Sequence, residues 1–594
     1  MKMGSIVGFT LHRDLSPEDI ARAVSTENRA LSHFKHLETH SLNIGSSRLS
    51  VWGHASVKEC IHTLRDGSTL VLIGSPHNTV PWQEVETRLL GAPRPEEFDL
   101  PWEGRLVLLQ ISADGGGWTM WNDWLGSIPV YHAQPGHGRI ASTLEPVAVS
   151  AAGSTPDDVY LPGLVSLLLN GFFLSDWTLY RNVKAVLHDS VAHWDENGFR
   201  ATRVWSVRPS RDRWDASWDD LVDEMHALSY KAIAGALKNS PAWVLPLSSG
   251  LDSRLIAAVA ADVGANANAY AWGAPDNTDA HYSRELAQAL GLPWKNITFP
   301  NDFLVNYTPQ WASWMGTALH FQGMYLMNFL DQIRNEPAGP VINGYVGDVL
   351  SGSLMHFMVK FHTLQKSYHV HEEWHSNWGV DQLRAVARFP LEDALEENRA
   401  YLQDQLNNNP GTVAQNIQLL RLWTRQRRFT GFLPILKDYW RGVATPFMDR
   451  SYARFCLSIP RSALDYRRLL AEVFKRYYTR LAMIPGSYGS DPYIPTGRYL
   501  LQKRIAKALP PALRRRVLKG FGNVDVCMDF KPIQTLGKAS VWPLFEMQPH
   551  LSEWFDMEKV EEDFHTIVKS DQDPRPLRRL QAVQTFAAAF LPKT

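Results

Sequence analysis

Trp243-Val-Leu-Pro-Leu-Ser-Ser-Gly-Leu-Asp-Ser253 joins a short apolar run to a loop of small residues, and a helical pattern follows from Arg254 to Val263. Such a loop between a buried strand and a helix exposes backbone N–H groups that can bind phosphate oxygens, and the helix N-terminus adds positive potential. Asp252 would offer the oxygen ligand that Mg²⁺ prefers. The stretch therefore predicts a phosphate-binding turn, with an ordinary helix cap at Ser248 or Ser249 as the alternative.

The residues that follow repeat the strand and helix pattern. A second strand is expected through Ala269-Tyr-Ala-Trp272, and a second helix from Ala280 to Leu290, ending at Gly291. The order strand, helix, strand, helix predicts a parallel sheet with helices on both faces.

A second loop of the same kind is Pro340-Val-Ile-Asn-Gly-Tyr-Val-Gly-Asp348, followed by Ser351-Gly352. The loops at the carboxyl ends of neighbouring strands in a doubly wound sheet meet at one crevice. Asp252 and Asp348 are therefore expected to share one magnesium ion and the pyrophosphate, although Asp348 could instead be a turn residue that caps the next segment.

The N-terminal part has a different sequence pattern. Short strands separated by turn residues are expected through Arg105–Ser112 and Trp118–Trp121, which predicts a mostly β domain. A polar, unperiodic segment near 206–215 separates it from the helical and parallel-sheet part. We predict one domain over residues 1–208 and a second over 209–594, the latter with a mainly helical lobe after residue 353.

Composition excludes several classes of protein. The 594 residues contain 60 Lys and Arg against 61 Asp and Glu, so no overall field attracts the chain to nucleic acid or to an anionic membrane. The three cysteines, Cys60, Cys456 and Cys527, are too far apart for a zinc motif or a disulfide framework. No run is long enough to span a bilayer. These features predict a soluble protein of the reducing cytoplasm.

The motifs resemble the asparagine synthetase superfamily over nearly the full length. The similar segments are Leu247 with the serine loop, Ala271-Trp-Gly-Ala-Pro-Asp276 with Asp279-Ala280, Asn343-Gly344 with Asp348, and Thr445-Pro-Phe-Met-Asp449; in the N-terminal part they are Trp121–Tyr131 and Ile140–Glu145. The resemblance implies an α/β protein with two domains. An N-terminal glutaminase-like, Ntn-type αββα domain precedes a C-terminal ATP-pyrophosphatase domain with a doubly wound parallel sheet.

The resemblance also implies the cofactors and their ligands. Asp252 and Asp348 are expected to hold Mg²⁺, and ATP is expected to contact the serine loop and the two flanking strands. The expected ATP-binding residues are Leu247, Ser248, Ser249, Gly250, Asp252, Ser253, Trp272, Asn343 and Gly344.

Two differences from the family pattern limit the reactions that we expect. Glutamine-hydrolysing members present an N-terminal cysteine, whereas this chain opens Met1-Lys-Met-Gly4, so glutamine is not the expected source of the amine. Tyr345 resembles the tyrosine of the catalytic dyad of β-lactam synthetases, but Gly442-Val-Ala-Thr445 lacks the glutamate of that dyad. The late lysine of those relatives is also absent from 488–497. Lys475, Arg476 and Arg498 are the nearby substitutes, of which Lys475 and Arg498 are the expected catalytic residues, and a solvated helix face is the alternative.

These departures favour the lasso peptide cyclases within the superfamily, as do Arg254 directly after the loop and the abundant aromatic residues. The expected reaction is adenylation of an Asp or Glu side chain of a core peptide, followed by macrolactam formation with the N-terminal amine. A ribosomal precursor peptide would be the substrate, with a leader-peptide protease and a leader-binding protein as partners. The alternatives are a β-lactam synthetase-like or other small-molecule amide synthetase and an inert scaffold that binds a peptide or a protease.

Overall fold

The computed structural model describes most of the chain. The described residues are 6–54, 57–273, 278–298, 303–334, 336, 339–353, 378–486, 509, 550–569 and 575–590. No helix among them is long and apolar enough to cross a membrane.

The N-terminal part consists of antiparallel strands with four helices around them. The strands are β1 (Ile6–Arg13), β2 (Glu38–Ile44), β3 (Ser47–Gly53), β4 (Ile61–Thr63), β5 (Thr69–Pro76), β6 (Gly104–Ile111), β7 (Trp118–Asn122), β8 (Tyr131–Ala133), β9 (Arg139–Ser142), β10 (Lys184–Ala185), β11 (Ser190–Asp195) and β12 (Gly198–Arg203). The helices are α1 (Pro17–Leu31), α2 (Trp82–Gly91), α3 (Glu145–Ala151) and α4 (Leu161–Asn170).

These strands form one hydrogen-bonded network that folds into two layers. The main path runs β10-β8-β9-β1-β5-β6-β7-β11-β12, with β3 and β2 attached to β1, and β4 attached to β5. The two layers meet where Ile6 of β1 pairs with Gly74 of β5. β10, β8, β9, β1, β3 and β2 thus form one layer, and β4, β5, β6, β7, β11 and β12 form the other.

Alternation along the strands produces an αββα sandwich, because successive side chains of a strand point to opposite faces. The interior between the two sheets is filled by Phe9, Leu11, Val51, Ile73 and Val107. The outer face of the first sheet packs on α1 and α3 through Val7, Trp52, Ile140, Ala23 and Ala30. The outer face of the second packs on α2 through Leu70, Leu72, Leu106, Leu108 and Val85. The predicted αββα fold is confirmed.

A parallel sheet forms the centre of the C-terminal part. Its strands are β13 (Trp243–Pro246), β14 (Ala267–Trp272), β15 (Trp294–Ile297), β16 (Val341–Ile342) and β17 (Val443–Ala444), in the order β15-β14-β13-β16-β17. Each neighbouring pair is parallel. β13 lies at the centre and pairs with both β14 and β16, which confirms the predicted parallel sheet.

Helices surround this sheet and form the region beyond it. Those before residue 353 are α5 (Trp218–Leu237), α6 (Leu251–Asp262), α7 (Thr278–Leu290), α8 (Phe303–Met315), α9 (Tyr325–Ile333) and α10 (Gly347–Leu350). Those after it are α11 (Val380–Val386), α12 (Glu392–Asn408), α13 (Val413–Arg421), α14 (Phe432–Arg441), α15 (Arg450–Cys456), α16 (Arg461–Leu464), α17 (Arg468–Tyr477), α18 (Thr479–Ala482), α19 (Leu551–Trp554), α20 (Met557–Lys569) and α21 (Arg575–Ala587). A π-helical segment, Leu422–Gln426, follows α13 directly.

Both faces of the parallel sheet are covered. Trp243 and Leu245 pack with α5, α6 and α17 on one side, whereas Val244 and Val341 pack with α8, α9 and α14 on the other. Strands buried on both faces must be apolar at successive positions, which explains the continuous apolar run of β13. The doubly wound arrangement confirms the predicted fold class.

The two parts share an extensive buried interface. Arg105 of β6 forms an ion pair of 3.1 Å with Asp438 of α14, and both side chains are buried. Trp52 Nε1 donates to the Tyr439 hydroxyl at 3.0 Å, and Thr445 N donates to His77 Nε2 at 3.1 Å. The N-terminal sandwich is therefore fixed to α14 and to the segment that follows β17.

Candidate active site

The two motif loops meet at the carboxyl edge of the parallel sheet. The serine loop follows β13 and the loop 343–348 follows its neighbour β16. A Cβ atom added to Gly344 would lie 3.0 Å from the Asp252 Cβ, and one added to Gly347 would lie 2.8 Å from Asp252 Oδ1. These glycines therefore allow the second loop to approach Asp252 closely, and the topology places the two loops together as the sequence predicts.

Hydrogen bonds within the serine loop fix its shape. Ser253 Oγ accepts from Ser248 N at 3.1 Å, and Gly250 N donates to Ser248 Oγ at 3.2 Å. Ser249 N donates to Asp279 Oδ1 of α7 at 2.9 Å, and the Ser249 hydroxyl donates to the same oxygen. Three loop amides that we expected to bind phosphate are thus occupied by protein groups.

The start of α6 remains available for an anion. The helix begins at Leu251, three residues before the predicted start, so Asp252 lies in its first turn. Gly250 is the N-cap residue and provides no side-chain cap. The first-turn amides and the positive end of the helix dipole therefore face the crevice without a side-chain cap, which is the usual geometry of a phosphate site.

Arg467 joins the two loops. Its guanidinium donates to Asp252 Oδ1 and, through Nε, to Ser351 Oγ at 2.9 Å. Burial raises the pKa of the Asp252 carboxyl, the charge of Arg467 opposes this rise, and the nearby Asp348 carboxylate adds to it. Burial acts against the charged form of Arg467, but Asp252 and Asp348 together raise its pKa. The three side chains form one electrostatic unit.

The π-helical segment approaches this unit from the other side. Gln426 Nε2 donates to Asp348 Oδ1 at 3.2 Å, and the Gln426 carbonyl accepts from the Tyr345 hydroxyl at 2.6 Å. Arg421 and Arg425 both interact electrostatically with Asp348. Single π turns inside helices are frequent at functional sites, and this one brings Arg425 and Gln426 near Asp348.

The geometry around Tyr345 does not favour the predicted proton relay. The phenol is buried, its proton is donated to a backbone carbonyl, and burial raises its pKa. A hydroxyl bound in this way fixes the position of Gln426 and of its own loop. It is poorly placed to accept a proton from an amine. The catalytic role of Tyr345 stays a prediction.

The structure does not bring Lys475, another predicted catalytic residue, to the carboxylates. Lys475 is exposed on α17, where its ammonium lies 3.6 Å from Glu472. Arg498 lies outside the described residues. Arg254 is fully buried, and its guanidinium donates to the carbonyls of Ser249, Leu481, Ile484 and Pro485. Arg254 therefore attaches the serine loop to α18 and to the segment that follows it.

The remaining predicted ATP-binding residues surround the crevice. Leu247 N donates to Tyr270 O at 2.8 Å, which continues the pairing of β13 with β14 beyond the strand end. Trp272 ends β14 and packs on Phe329 with ring centroids 5.0 Å apart. Asn343 is buried, and its amide Nδ2 has no hydrogen-bond partner among the described residues. An unpaired buried amide next to the motif loops fits a ligand that accepts a hydrogen bond.

The residues present fit a magnesium ion and the phosphates of ATP. Asp252 Oδ2 and Asp348 Oδ2 accept no hydrogen bond from the described residues, so each carboxylate keeps one oxygen for a metal. Within the described parts of the chain no group of three or more His, Cys, Asp or Glu could hold a metal. Two carboxylates suit Mg²⁺, which completes its shell with water and substrate phosphates.

Sequence reasoning missed Arg467, Arg421, Arg425 and Gln426. Tyr466 and Arg467 both adopt left-handed backbone conformations, at φ of 59° and 58°. Non-glycine residues rarely do so, and no glycine or asparagine marks this turn in the sequence. The π-helical register similarly has no simple sequence signal.

Comparison with known proteins gives a family match over part of the chain. Residues 226–429 match the family model Asn_synthase, described as asparagine synthase. No curated protein matches the chain.

Two solved structures share limited similarity. The glutamine phosphoribosylpyrophosphate amidotransferase from B. subtilis, complexed with ADP and GMP, is 9% identical, with a TM-score of 0.21 over 49% of this chain and 65% of that chain. A structure described as the allosteric regulatory enzyme of purine biosynthesis is 11% identical, with a TM-score of 0.21 over 49% of this chain and 64% of that one. The chain thus covers less than two thirds of either structure, and such low TM-scores carry no functional conclusion.

The matched segment contains the serine loop, Asp348 and the π-helical segment. It therefore includes most of the crevice described above. The match supports an asparagine synthase-like domain over residues 226–429 and, in general, an ATP-dependent, amide-forming ligase.

Proposed function

We propose that this protein is an ATP-dependent, AMP-forming macrolactam synthetase of the lasso peptide cyclase type. The observation that carries the proposal is the convergence of Asp252, Asp348 and Arg467 at the start of α6. This arrangement suits the binding of a magnesium-bound triphosphate.

The chemistry divides into two steps. An oxygen of a side-chain carboxylate attacks the α-phosphorus of ATP, the bond to pyrophosphate breaks, and an acyl-adenylate forms. The N-terminal amine of the peptide then attacks the acyl carbon, loses a proton, and displaces AMP. Mg²⁺ bound by Asp252 and Asp348 would neutralise the phosphate charge, while Arg467 orients both carboxylates.

A substrate amine is favoured over glutamine-derived ammonia by the environment of the described cysteines. Cys60 is buried in the core between the two sheets. Cys456 is buried in α15, where burial raises the pKa of its thiol to about 12. A thiol nucleophile must be accessible, and both of these cysteines are buried.

Product analysis tests the proposal. The protein is incubated with ATP, Mg²⁺ and linear peptides that carry an N-terminal Gly and an internal Asp or Glu, and the products are identified by mass spectrometry. We expect AMP together with a peptide lighter by one water. AMP formed only with small amino-acid derivatives would replace the proposal by a small-molecule amide synthetase. If no ATP is consumed with the peptides or with the small amino-acid derivatives, the protein is not a ligase that acts without a partner.

A further inference from the structure

Two guanidinium groups, those of Arg421 and Arg425, interact electrostatically with Asp348, and a third, that of Arg578, interacts with Arg425. Arg425 also interacts electrostatically with Arg421. Arg467 also interacts with Asp348, but it differs from these arginines because it interacts with Asp252 too. We call Arg421, Arg425 and Arg578 the arginine cluster.

The backbone places these like charges together. Arg421 ends α13 and Arg425 lies within the π-helical segment, four residues further along. Like charges at this spacing on a helix repel each other. Arg578 approaches from α21, a separate part of the chain. Three elements of the fold therefore maintain a concentration of positive charge that is unfavourable by itself.

Two members of the cluster, Arg421 and Arg425, form no ion pair with the described residues. Arg421 is 1% exposed and donates to Ser353 O at 2.6 Å. Arg425 makes no hydrogen bond or ion pair with any residue in the described ranges, and its guanidinium carbon lies 5.6 Å from the centre of the Phe429 ring. Asp348 is shared with Arg467 and Gln426. A partly buried guanidinium without an anion is costly, because desolvation favours its pairing with a carboxylate or phosphate.

We propose that Arg425, with Arg421 and Arg578 beside it, binds the carboxylate that the enzyme activates. A planar carboxylate and a phosphate oxyanion share the chemistry that a guanidinium recognises. The carboxylate is favoured here because the phosphate-binding features, namely the start of α6 and Arg467, lie on the Asp252 side. Arg425 would hold one carboxylate oxygen while the other attacks the α-phosphorus. The proposal rests on the proposed function and assigns it an acidic acyl substrate.

The test compares Arg425→Gln with wild type in three measurements. We expect the KM for the acidic peptide to rise ~10-fold or more, because a charge-assisted hydrogen bond is lost. The affinity for ATP with Mg²⁺ should change less than about twofold. The melting temperature should stay the same or rise, since the substitution removes an unpaired charge. Arg384→Gln is the control, because Arg384 pairs with Glu392 and Asp381 on the exposed surface of α11.

Other outcomes would overturn the proposal. A loss of ATP affinity with an unchanged peptide KM would identify the bound anion as a phosphate of ATP. A lower melting temperature with an equal loss in every activity would show that Arg425 is structural.

Direct binding separates this inference from the proposed function. Calorimetry without ATP compares two linear peptides that differ by an internal Glu or Gln. Wild type should prefer the Glu peptide and Arg425→Gln should not, even if no ring is formed. Equal affinity of wild type for both peptides would exclude a carboxylate site. A clear preference for the Glu peptide without turnover would contradict the macrolactam reaction and leave the carboxylate site in place.

Discussion

Asp252 is both the ion-pair partner of Arg467 and a proposed ligand of Mg²⁺. Its carboxylate pairs with Arg467 and lies next to Asp348 in a buried crevice. Burial of a carboxylate is tolerated because the guanidinium compensates its charge. This balance maintains two acidic groups close together, as the proposed Mg²⁺ site requires.

Replacement of Asp252 by Asn tests this assignment. The amide retains the size of the side chain but loses the charge that binds Mg²⁺, so we expect ATP–pyrophosphate exchange to fall ~100-fold or more. Asp381→Asn serves as the control, because Asp381 is 96% exposed on α11. Undiminished exchange in Asp252→Asn would remove Asp252 from the metal site.

Tyr345→Phe separates a positioning role from a relay. Without the phenol, the Gln426 carbonyl loses a hydrogen bond of 2.6 Å. We expect a loss of stability of about 1–3 kcal/mol with ATP–pyrophosphate exchange and cyclisation within ~10-fold of wild type. Thermal unfolding and product formation are measured on the same preparation. Intact exchange with abolished cyclisation would instead establish Tyr345 as the proton relay.

At the scale of elements, the loop after β16 approaches α6 without space for side chains. Val346 adopts a left-handed conformation with φ of 62°, which is strained for a β-branched residue. Such strain is concentrated at functional sites, where the surrounding structure maintains it. The conformation turns the chain so that Gly347 lies against Asp252 and Phe447.

Gly347→Ala should therefore impair the site. The new Cβ atom would lie 2.8 Å from both Asp252 Oδ1 and Phe447 Cδ2. Asp252 would have to move, so we expect a higher KM for ATP and a ~10-fold or greater loss of kcat/KM. Steady-state kinetics with varied ATP measure this effect.

Gly235→Ala provides the matched control. Gly235 lies within α5, and nothing lies within 4 Å of an added Cβ atom. We expect normal kinetics and a gain of about 0.5–1 kcal/mol in stability, because Ala favours the helix. Equal kinetic effects of the two substitutions would show that close packing at Gly347 is not what maintains the site.

At the scale of the whole molecule, the N-terminal sandwich supports the synthetase part. The ion pair of Arg105 with Asp438 and the contact of His77 with Thr445 N are both buried at the interface. Asp438 lies on α14 and Thr445 directly follows β17, the edge strand of the parallel sheet. The sandwich therefore has a structural role, because these buried contacts fix the position of α14 and of the segment after β17.

The interface should be sensitive to acid. Burial lowers the pKa of His77 to about 4, and its Nε2 must be unprotonated to accept from Thr445 N. The unfolded chain binds this proton more readily, so the contribution of His77 is fully present above about pH 6.5 and is lost as the pH falls towards 4. Full protonation corresponds to roughly 3 kcal/mol, since each pKa unit is about 1.4 kcal/mol.

Denaturant unfolding between pH 7.5 and 4.5 measures this contribution. His77→Gln retains an acceptor without a titrating group, so its stability should depend less on pH than that of wild type. Identical pH dependence in the two proteins would assign the acid sensitivity to other groups, such as His132 and His320, in which burial lowers the pKa to about 3.

The local sequence pattern determined the type of sheet and the type of turn that this protein forms. The continuous apolar run of β13, the small-residue loop after it and the alternation of strands with helices predict a parallel sheet with a phosphate-binding turn. The doubly wound pattern also predicts that Asp252 and Asp348 meet, because the carboxyl ends of neighbouring parallel strands lie at one edge, although only the structure shows that β16 is the neighbour of β13. These features depend on periodicity and connection rules that act over short distances.

Tertiary structure alone decided which side chains complete the site. Arg467 reaches Asp252 through two left-handed residues, and Gln426 and Arg425 reach the vicinity of Asp348 through a π-helical turn. Lys475, which we expected at the site, lies on an exposed helix face, and Arg254 is directed towards backbone carbonyls. Residue type does not determine where a long basic side chain ends, because its position depends on the packing of elements far apart in sequence.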